Sequence, residues 1–177
     1  MNLINEKILE QVNVRSTTQF LLLSGIAIIM PFYFHLQLVT GPLINAIFIL
    51  VLFLVGIRSA LILCLIPSLM ALAGGLLPAV LAPAIPFIMI SNAIYVISIE
   101  YLFKNSKEEI KGFWTGVIIG SALKFIFLFL SVNIIVKLLV KQELAAKVAQ
   151  MMSWPQFATA IAGGIIAWFI LKFLQRI

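Results

Sequence analysis

Lys124 is the residue of this chain whose position most strongly suggests a functional role. It lies within an apolar segment from Gly112 to Val132, and at least eleven uncharged residues extend on each side of it. An ammonium group at the centre of a bilayer costs roughly 2.5–3.5 kcal/mol to insert, so such groups usually face a cavity or a polar partner. Lys124 is therefore predicted to bind a solute inside a helical bundle. The alternatives are a structural bond to a backbone carbonyl and snorkelling of its long side chain.

The spacing of residues around Lys124 predicts which face of its helix is buried. Residues at three- and four-residue intervals share one helix face, and small residues there allow a neighbouring helix to approach closely. The residues that follow this spacing are Gly116, Gly120, Lys124, Leu128 and Ser131. We therefore expect Lys124 and Ser131 to point into the bundle.

Other helices supply further polar candidates. Asn92 and Tyr95 share one helix face, and Gln156 and Thr159 share another near the start of the last helix. His35 and Asn45 lie near the same predicted side of the membrane. The candidate solute-binding residues are thus Lys124, Asn92, Tyr95, Ser131, Gln156, Thr159, His35 and Asn45. For each helix residue the alternative role is helix packing alone, and for His35 it is a solvated position at the membrane interface.

The charge expected around this site favours an anionic solute. Free backbone N–H groups and the positive end of the helix dipole lie in the first turn of the last helix, which begins near Pro155. Lys124 adds a second positive contribution on the same side of the bundle. A carboxylate-bearing solute would match both.

Several other functional classes lack the residues that they need. The chain has one histidine, one cysteine and six acidic residues, too few for a His/Cys metal cluster. Glu100 is the one acid within an apolar helix, and Lys104 four residues later is its expected partner. Cys64 is alone, so it forms no intrachain disulfide.

The net charge of +6 comes from residues dispersed at helix ends, and this dispersed pattern does not predict a nucleic-acid surface. We predict neither enzymatic activity nor a cofactor.

The composition predicts an all-α, polytopic membrane protein. Hydrophobic residues make up 63% of the 177 residues, charged residues make up 10%, and the mean hydropathy is +1.19. A spanning helix needs about 20 apolar residues, and the chain divides into six such segments. Their expected bounds are Thr17 to Leu38, Leu43 to Ile57, Ser59 to Leu77 with a kink at Pro67, Pro86 to Phe103, Phe113 to Val136, and Pro155 to Leu174. Thr40, Gly41 and Pro42 are expected to form a turn, Gly74 to Pro86 an ordered loop, and Lys137 to Met152 a surface-lying amphipathic segment.

The distribution of basic residues predicts the orientation. Eight lysines and arginines fall on one side and three, Lys137, Lys141 and Lys147, on the other, which places both termini in the cytoplasm. Residues 1–16 are predicted to be a cytoplasmic amphipathic segment without a cleavable signal, and residues 17–177 a single six-helix transmembrane domain in the cell membrane.

The order of these features resembles the substrate-binding S component of energy-coupling factor (ECF) transporters. The resemblance extends from Thr17 to Leu174 and depends on short helices, Gly41-Pro42, the Pro-rich loop leading to Ser91-Asn92, the Lys124 segment, and the segment from Met152 to Gly164. It implies a six-helix bundle that binds a vitamin-like solute from outside. It also implies that Asn92, Tyr95, Lys124, Ser131, Gln156 and Thr159 form the binding site, with a lid between Gly74 and Pro86.

The same resemblance implies partners in the membrane. Such proteins associate with a coupling subunit driven by two cytoplasmic ATPases, and the family's first helix typically carries small residues for docking that subunit. Here those residues would be Ser24, Gly25 and Ala27, although they lack a regular four-residue spacing. Two other functions are possible. A membrane scaffold of the cell-envelope machinery would use the helices for protein contacts only, and a stand-alone carrier is disfavoured because no internal repeat is visible.

Overall fold

The computed structural model describes residues 3–138 and 149–177, and in these ranges the chain is helical without β-strands. The helices are α1 (Leu3–Tyr33), α2 (Gln37–Leu54), α3 (Ile57–Leu63), α4 (Ile66–Ala73), α5 (Ile85–Lys104), α6 (Glu109–Leu138) and α7 (Trp154–Phe173), with a 3₁₀ helix at Ala79–Ala84. Among the described residues, five helical segments are long and apolar enough to cross a membrane, and Ile57–Ala73 is a shorter apolar segment. The predicted all-α membrane fold is confirmed.

The predicted bounds of the last three membrane helices lie close to those of α5, α6 and α7, whereas the first helix ends earlier and the second begins earlier than predicted. The N-terminal division and the orientation stay predictions. Residues 3–16, which we assigned to a separate segment, lie in α1 together with the first span. The central residues 139–148 of the predicted amphipathic segment, including Lys141 and Lys147, lie outside the described residues. The cytoplasmic location of both termini depends on the distribution of charge in the sequence.

The third membrane segment is broken as Pro67 predicts. The expected single helix from Ser59 to Leu77 is divided into α3 and α4 by a turn at Cys64 and Leu65. Pro67 lies in the first turn of α4, where its missing N–H leaves no hydrogen bond unmade. This break brings the first turn of α4, including Ser68, to the wall of a central cavity.

The predicted turn at Thr40, Gly41 and Pro42 is wrong. The chain turns earlier, between Tyr33 and Gln37, and all three residues lie inside α2. The Thr40 hydroxyl lies 2.9 Å from the carbonyl oxygens of both Phe34 and Leu36, so its single proton is shared between them and closes the turn. A Cβ atom on Gly41 would lie only 2.9 Å from Cβ of Thr159. Glycine at this position therefore permits close packing of α2 on α7 and does not mark a turn.

Two helix pairs approach closely enough to bring the polar residues together. On α7, a Cβ atom at Gly163 would lie 2.6 Å from Cβ of Asn45 and 2.8 Å from the carbonyl oxygen of Pro42. On α6, a Cβ atom at Gly116 would lie 2.9 Å from Cα of Ile99 in α5. Only glycine allows these backbones to meet at such distances. The two contacts hold α2 against α7 and α5 against α6, around the position of Lys124.

The small residues that we predicted for docking are mostly turned inward. Ala27 is fully buried in the main hydrophobic core, and Ser24 is 7% exposed. Gly25 is half-exposed, and no atom lies within 4 Å of the position that its Cβ would occupy. Helix α1 uses Ser24 and Ala27 to pack on its own bundle, so those two residues are unavailable for a partner, while Gly25 lies on a more accessible side.

Candidate functional site

Lys124 forms the centre of a buried polar cluster that joins three helices. Its Nζ donates hydrogen bonds to Oδ1 of Asn45 in α2, at 2.7 Å, and to Oδ1 of Asn92 in α5, at 2.8 Å. Only 2% of Lys124 is exposed. The predicted inward face of α6 is confirmed, because Gly116, Gly120, Leu128 and Ser131 are buried on the same side. Both hydrogen-bond partners of Lys124 are neutral amides, so its positive charge is solvated there without being neutralised.

Tyr95 lies behind this cluster. Its ring centroid is 5.5 Å from Nζ of Lys124, within the range of a cation–π interaction. Its hydroxyl donates a 2.8 Å hydrogen bond to the carbonyl oxygen of Ala160 in α7, and the residue is fully buried. Tyr95 is absent from the cavity wall. It therefore positions Lys124 and connects α5 to α7, and it does not have the access that a solute ligand needs.

The buried cluster lies at the inner end of a cavity. The cavity is lined by Pro31, Gln37, Thr40, Gly41, Ile44, Asn45, Pro67, Ser68, Ala71, Leu76, Leu77, Ile88, Asn92, Lys124, Met151, Gln156 and Thr159. It holds about 120 Å³ of space that water can reach. A cavity needs roughly 10–15 Å³ of such space to hold one water molecule, so this cavity has room for several water-sized groups. The walls are mostly apolar, as is usual for a site that binds small molecules.

Two glutamines form the outer end of the cavity. The amide groups of Gln37 and Gln156 both donate to the carbonyl oxygen of Met151, at 3.0 and 3.1 Å. Both glutamines are half-buried, whereas Lys124 is almost fully buried. Asn45 lies eight residues after Gln37 in α2, which corresponds to about 12 Å along the helix axis. The cavity thus has two polar ends, separated by apolar side chains.

The structure brings together five of the eight predicted residues. Lys124, Asn45, Asn92, Gln156 and Thr159 line the cavity. The other three do not. Tyr95 lies behind Lys124, the Ser131 hydroxyl donates to the carbonyl oxygen of Phe127 in its own helix at 2.7 Å, and Nε2 of His35 lies 3.0 Å from the carbonyl oxygen of Gly74. Ser131 is almost two turns beyond Lys124 on α6 and is absent from the cavity wall.

Sequence reasoning missed several residues of the cavity wall. Gln37, Thr40 and Gly41 were not considered because they were assigned to a helix end and a turn, although a glutamine between apolar residues was a usable signal. Ser68 follows Pro67, and the expected kink marked the place where a helix interior becomes accessible. Gln37, Thr40 and Gly41 lie in the first two turns of α2, and Ser68 lies in the first turn of α4.

The acidic side chains that the structure describes lie away from the cavity, and two of them form ion pairs with lysines. Glu100 forms the predicted ion pair with Lys104 at 2.6 Å, and Glu108 pairs with Lys111 at 2.7 Å. No acidic residue that the structure describes lines the cavity. Within residues 3–138 and 149–177, no group of three or more His, Cys, Asp or Glu side chains is placed to hold a metal ion. Chemistry at this site therefore depends on Lys124 and on amide and hydroxyl groups.

The proposed positioning role of Tyr95 predicts a separation between stability and affinity. Tyr95→Phe keeps the ring near Lys124 and removes the bond to Ala160, so we expect unfolding free energy to fall by about 1 kcal/mol. Solute affinity should change by less than about threefold, an amount below 1 kcal/mol. Thermal unfolding and titration of the purified protein measure both quantities. Tyr101→Phe is the control, because Tyr101 is 65% exposed. A tenfold or greater loss of affinity in Tyr95→Phe would instead make Tyr95 a direct ligand.

Comparison with known proteins gives one match. A family model described as "ECF transporter, substrate-specific component" matches residues 18–174, which is nearly the whole chain. No curated protein and no solved structure matches the chain significantly. The matched range contains every residue that lines the cavity.

Proposed function

The chain belongs to the family of substrate-specific components of ECF transporters, and from that premise we propose that its central cavity captures a small, vitamin-like solute. It is a multi-pass protein of the cell membrane and a component of a transporter, which is not an enzyme family. The solute binds between Lys124, Asn45 and Asn92 at the inner end and Gln37 and Gln156 at the outer end.

The single observation that carries this proposal is the Lys124 cluster at the end of a cavity. A buried ammonium is costly in a membrane protein and is usually retained for function. A membrane scaffold, which uses its helices for protein contacts, needs neither the charge nor the space beside it. The cavity is also of the kind that small-molecule sites use, with apolar walls and a few converging polar groups.

The remaining parts of the proposal concern direction and partners. The solute enters from the external side, and the loaded protein delivers it together with a membrane coupling subunit and two cytoplasmic ATPases. Family membership supports this arrangement, and the distribution of lysine and arginine supports the orientation. Of the residues predicted for docking, Gly25 has the accessibility that such a contact needs. The exposed face of α1 also presents Leu21, Leu22, Ile26 and Ile29.

A thermal-shift screen with a blocked cavity tests this function. Purified wild-type protein is screened against water-soluble vitamins and their precursors. A solute at 100 times its Kd stabilises the folded state by about 2.7 kcal/mol, which corresponds to a rise in Tm of roughly 5–10 °C for a chain of this size. Ala71→Phe places a large ring in the cavity, since Ala71 lines its wall, and it should remove that rise.

The control for the blocked cavity is Ile62→Phe, which adds a ring at an exposed position of α3. This variant should keep the full ligand-induced rise in Tm. The proposal is contradicted if no compound stabilises the wild-type protein. It is also contradicted if Ala71→Phe responds to the same compound as strongly as the wild type does.

A further inference from the structure

The charge of Lys124 has no counter-ion among the residues that surround the cavity. Its two hydrogen-bond partners, Asn45 and Asn92, are neutral. The cavity wall contains no aspartate, glutamate, arginine or histidine, so Lys124 is the one formal charge in the wall that the structure describes. Glu100, the acid within the same membrane segment as Asn92, forms its ion pair with Lys104. The site therefore carries one unbalanced positive charge.

The hydrogen-bond donors at the inner end are also in excess. An ammonium group has three protons, and the two asparagine oxygens accept two of them. The amide nitrogen of Asn45 uses one of its two protons in a 2.9 Å hydrogen bond to the carbonyl oxygen of Gly41. The amide nitrogen of Asn92 donates to no residue that the structure describes, and Asn92 lines the cavity. The third proton of Lys124 and the amide of Asn92 can thus both reach a bound acceptor.

The rest of the cavity restricts the solute further. A cavity of about 120 Å³ suits a compact molecule. The walls between the two ends are apolar side chains, including Ile44, Leu77 and Ile88. A single positive charge balances a carboxylate and leaves a phosphate ester, which carries nearly two negative charges at neutral pH, incompletely neutralised.

We infer that the solute is a compact monocarboxylate with an apolar body, and that its carboxylate binds Nζ of Lys124 and the side-chain amide of Asn92. This inference rests on the proposed capture of a small solute in the same cavity. Charge-assisted hydrogen bonds to a carboxylate are stronger than those to a neutral acceptor. The glutamines at the outer end bind the polar group at the far end of the solute through their side-chain oxygens and their second amide protons, since each donates one amide proton to the carbonyl oxygen of Met151.

Matched pairs of acids and their neutral forms test this inference. The probes are nicotinate with nicotinamide, biotin with biotinamide, and pantothenate with panthenol. Titration of the wild-type protein should show that, in the pair that binds, the acid binds roughly ten- to hundredfold more tightly than its neutral form. The inference is overturned if the neutral form binds as tightly as the acid. In that case capture of a solute still stands, and only the carboxylate assignment fails.

A near-isosteric substitution in the protein tests whether the unbalanced charge of Lys124 binds the solute. Asn92→Asp places a carboxylate where the asparagine oxygen now lies 2.8 Å from Nζ of Lys124. That internal counter-ion should weaken binding of the acid at least tenfold and abolish the preference for acid over neutral form. Asn105→Asp makes the same chemical change at an exposed position and should leave both affinities unchanged.

The possible results separate this inference from the function on which it rests. If Asn92→Asp keeps the wild-type affinity for the acid, the carboxylate does not bind at Lys124 and the inference is overturned. If no member of any pair binds the wild-type protein, the inference is overturned, and solute capture fails with it only if no compound of the thermal-shift screen stabilises the protein. The comparison of acid and neutral forms needs only the wild-type protein, so it decides the question even if the variant is unstable.

Discussion

Lys124→Met is expected to reduce solute affinity at least a hundredfold while changing the unfolding free energy by no more than about 1 kcal/mol. The affinity loss corresponds to about 2.7 kcal/mol and reflects removal of the one charge in the described cavity wall. The unfolding free energy is less affected because a favourable and an unfavourable effect oppose each other. The variant no longer buries an ammonium, which is favourable, but it leaves the oxygens of Asn45 and Asn92 without their donor. Water in the cavity can solvate those oxygens.

The matched control is Lys104→Met, which removes a lysine from the exposed end of a helix. Lys104 pairs with Glu100 at 2.6 Å, and 68% of its side chain is exposed. Exposed ion pairs contribute little to stability, so both affinity and Tm should stay near the wild-type values. Titration and thermal unfolding of the three proteins provide the comparison. Wild-type affinity in Lys124→Met would remove Lys124 from the site, and a collapse in stability without loss of affinity would make its role structural.

Gly163→Ala is expected to be the most destabilising of the conservative substitutions in the bundle. The added Cβ would lie 2.6 Å from Cβ of Asn45 and 2.9 Å from the backbone nitrogen of Ala46. Backbone atoms of α2 cannot move away without separating α2 from α7. Overpacking of this kind costs about 1–3 kcal/mol, and the backbone contact places this case at the upper end. The same displacement moves Asn45 from Lys124, so solute affinity should fall as well.

Gly25→Ala provides the matched control for this substitution. Gly25 lies in α1, and no atom is within 4 Å of the position of the added Cβ. Alanine is favoured over glycine within a helix by about 0.5–1 kcal/mol, so this variant should be slightly more stable than the wild type. Thermal unfolding of both variants gives the comparison. Equal stability of Gly163→Ala and Gly25→Ala would show that α2 and α7 do not pack as closely as described.

The helices and the buried face of α6 could be predicted because both depend on local sequence. Long apolar runs mark spanning helices, and the spacing of Gly116, Gly120 and Lys124 marks one helix face. The inward direction of Lys124 follows from that face. Its partners Asn45 and Asn92 were predicted as separate candidates, but sequence spacing does not report that residues 79 and 32 positions away meet at one ammonium.

The start of α2 could not be predicted because its signals have two physical meanings. Gly41-Pro42 is typical of a turn, and here the glycine instead accommodates Thr159 of a helix distant in sequence. That error also concealed Gln37 and Thr40, which line the cavity. Such contacts depend on which helices become neighbours, and the sequence of one helix does not contain that information.

The extent of the cavity along the helices likewise could not be predicted from the sequence. Ser131 shares the buried face of α6 with Lys124, yet it is absent from the cavity wall, and its hydroxyl donates to the carbonyl oxygen of Phe127. His35 was placed on the correct side of the bundle relative to the Pro-rich loop, and it contacts Gly74 in that loop without reaching the cavity. Helical periodicity predicts the direction of a side chain, and the extent of a cavity along the helix depends on the packing of the whole bundle.

Calorimetric titration of the purified protein with the compound selected by the thermal-shift screen is the most direct test of solute capture. The cavity predicts one solute bound per chain with a submicromolar Kd in the wild type, and no measurable binding by Lys124→Met or Ala71→Phe under the same conditions. These two variants remove the charge and the space independently. Non-saturable binding in the wild type, or wild-type affinity in Ala71→Phe, would contradict capture of the solute in this cavity.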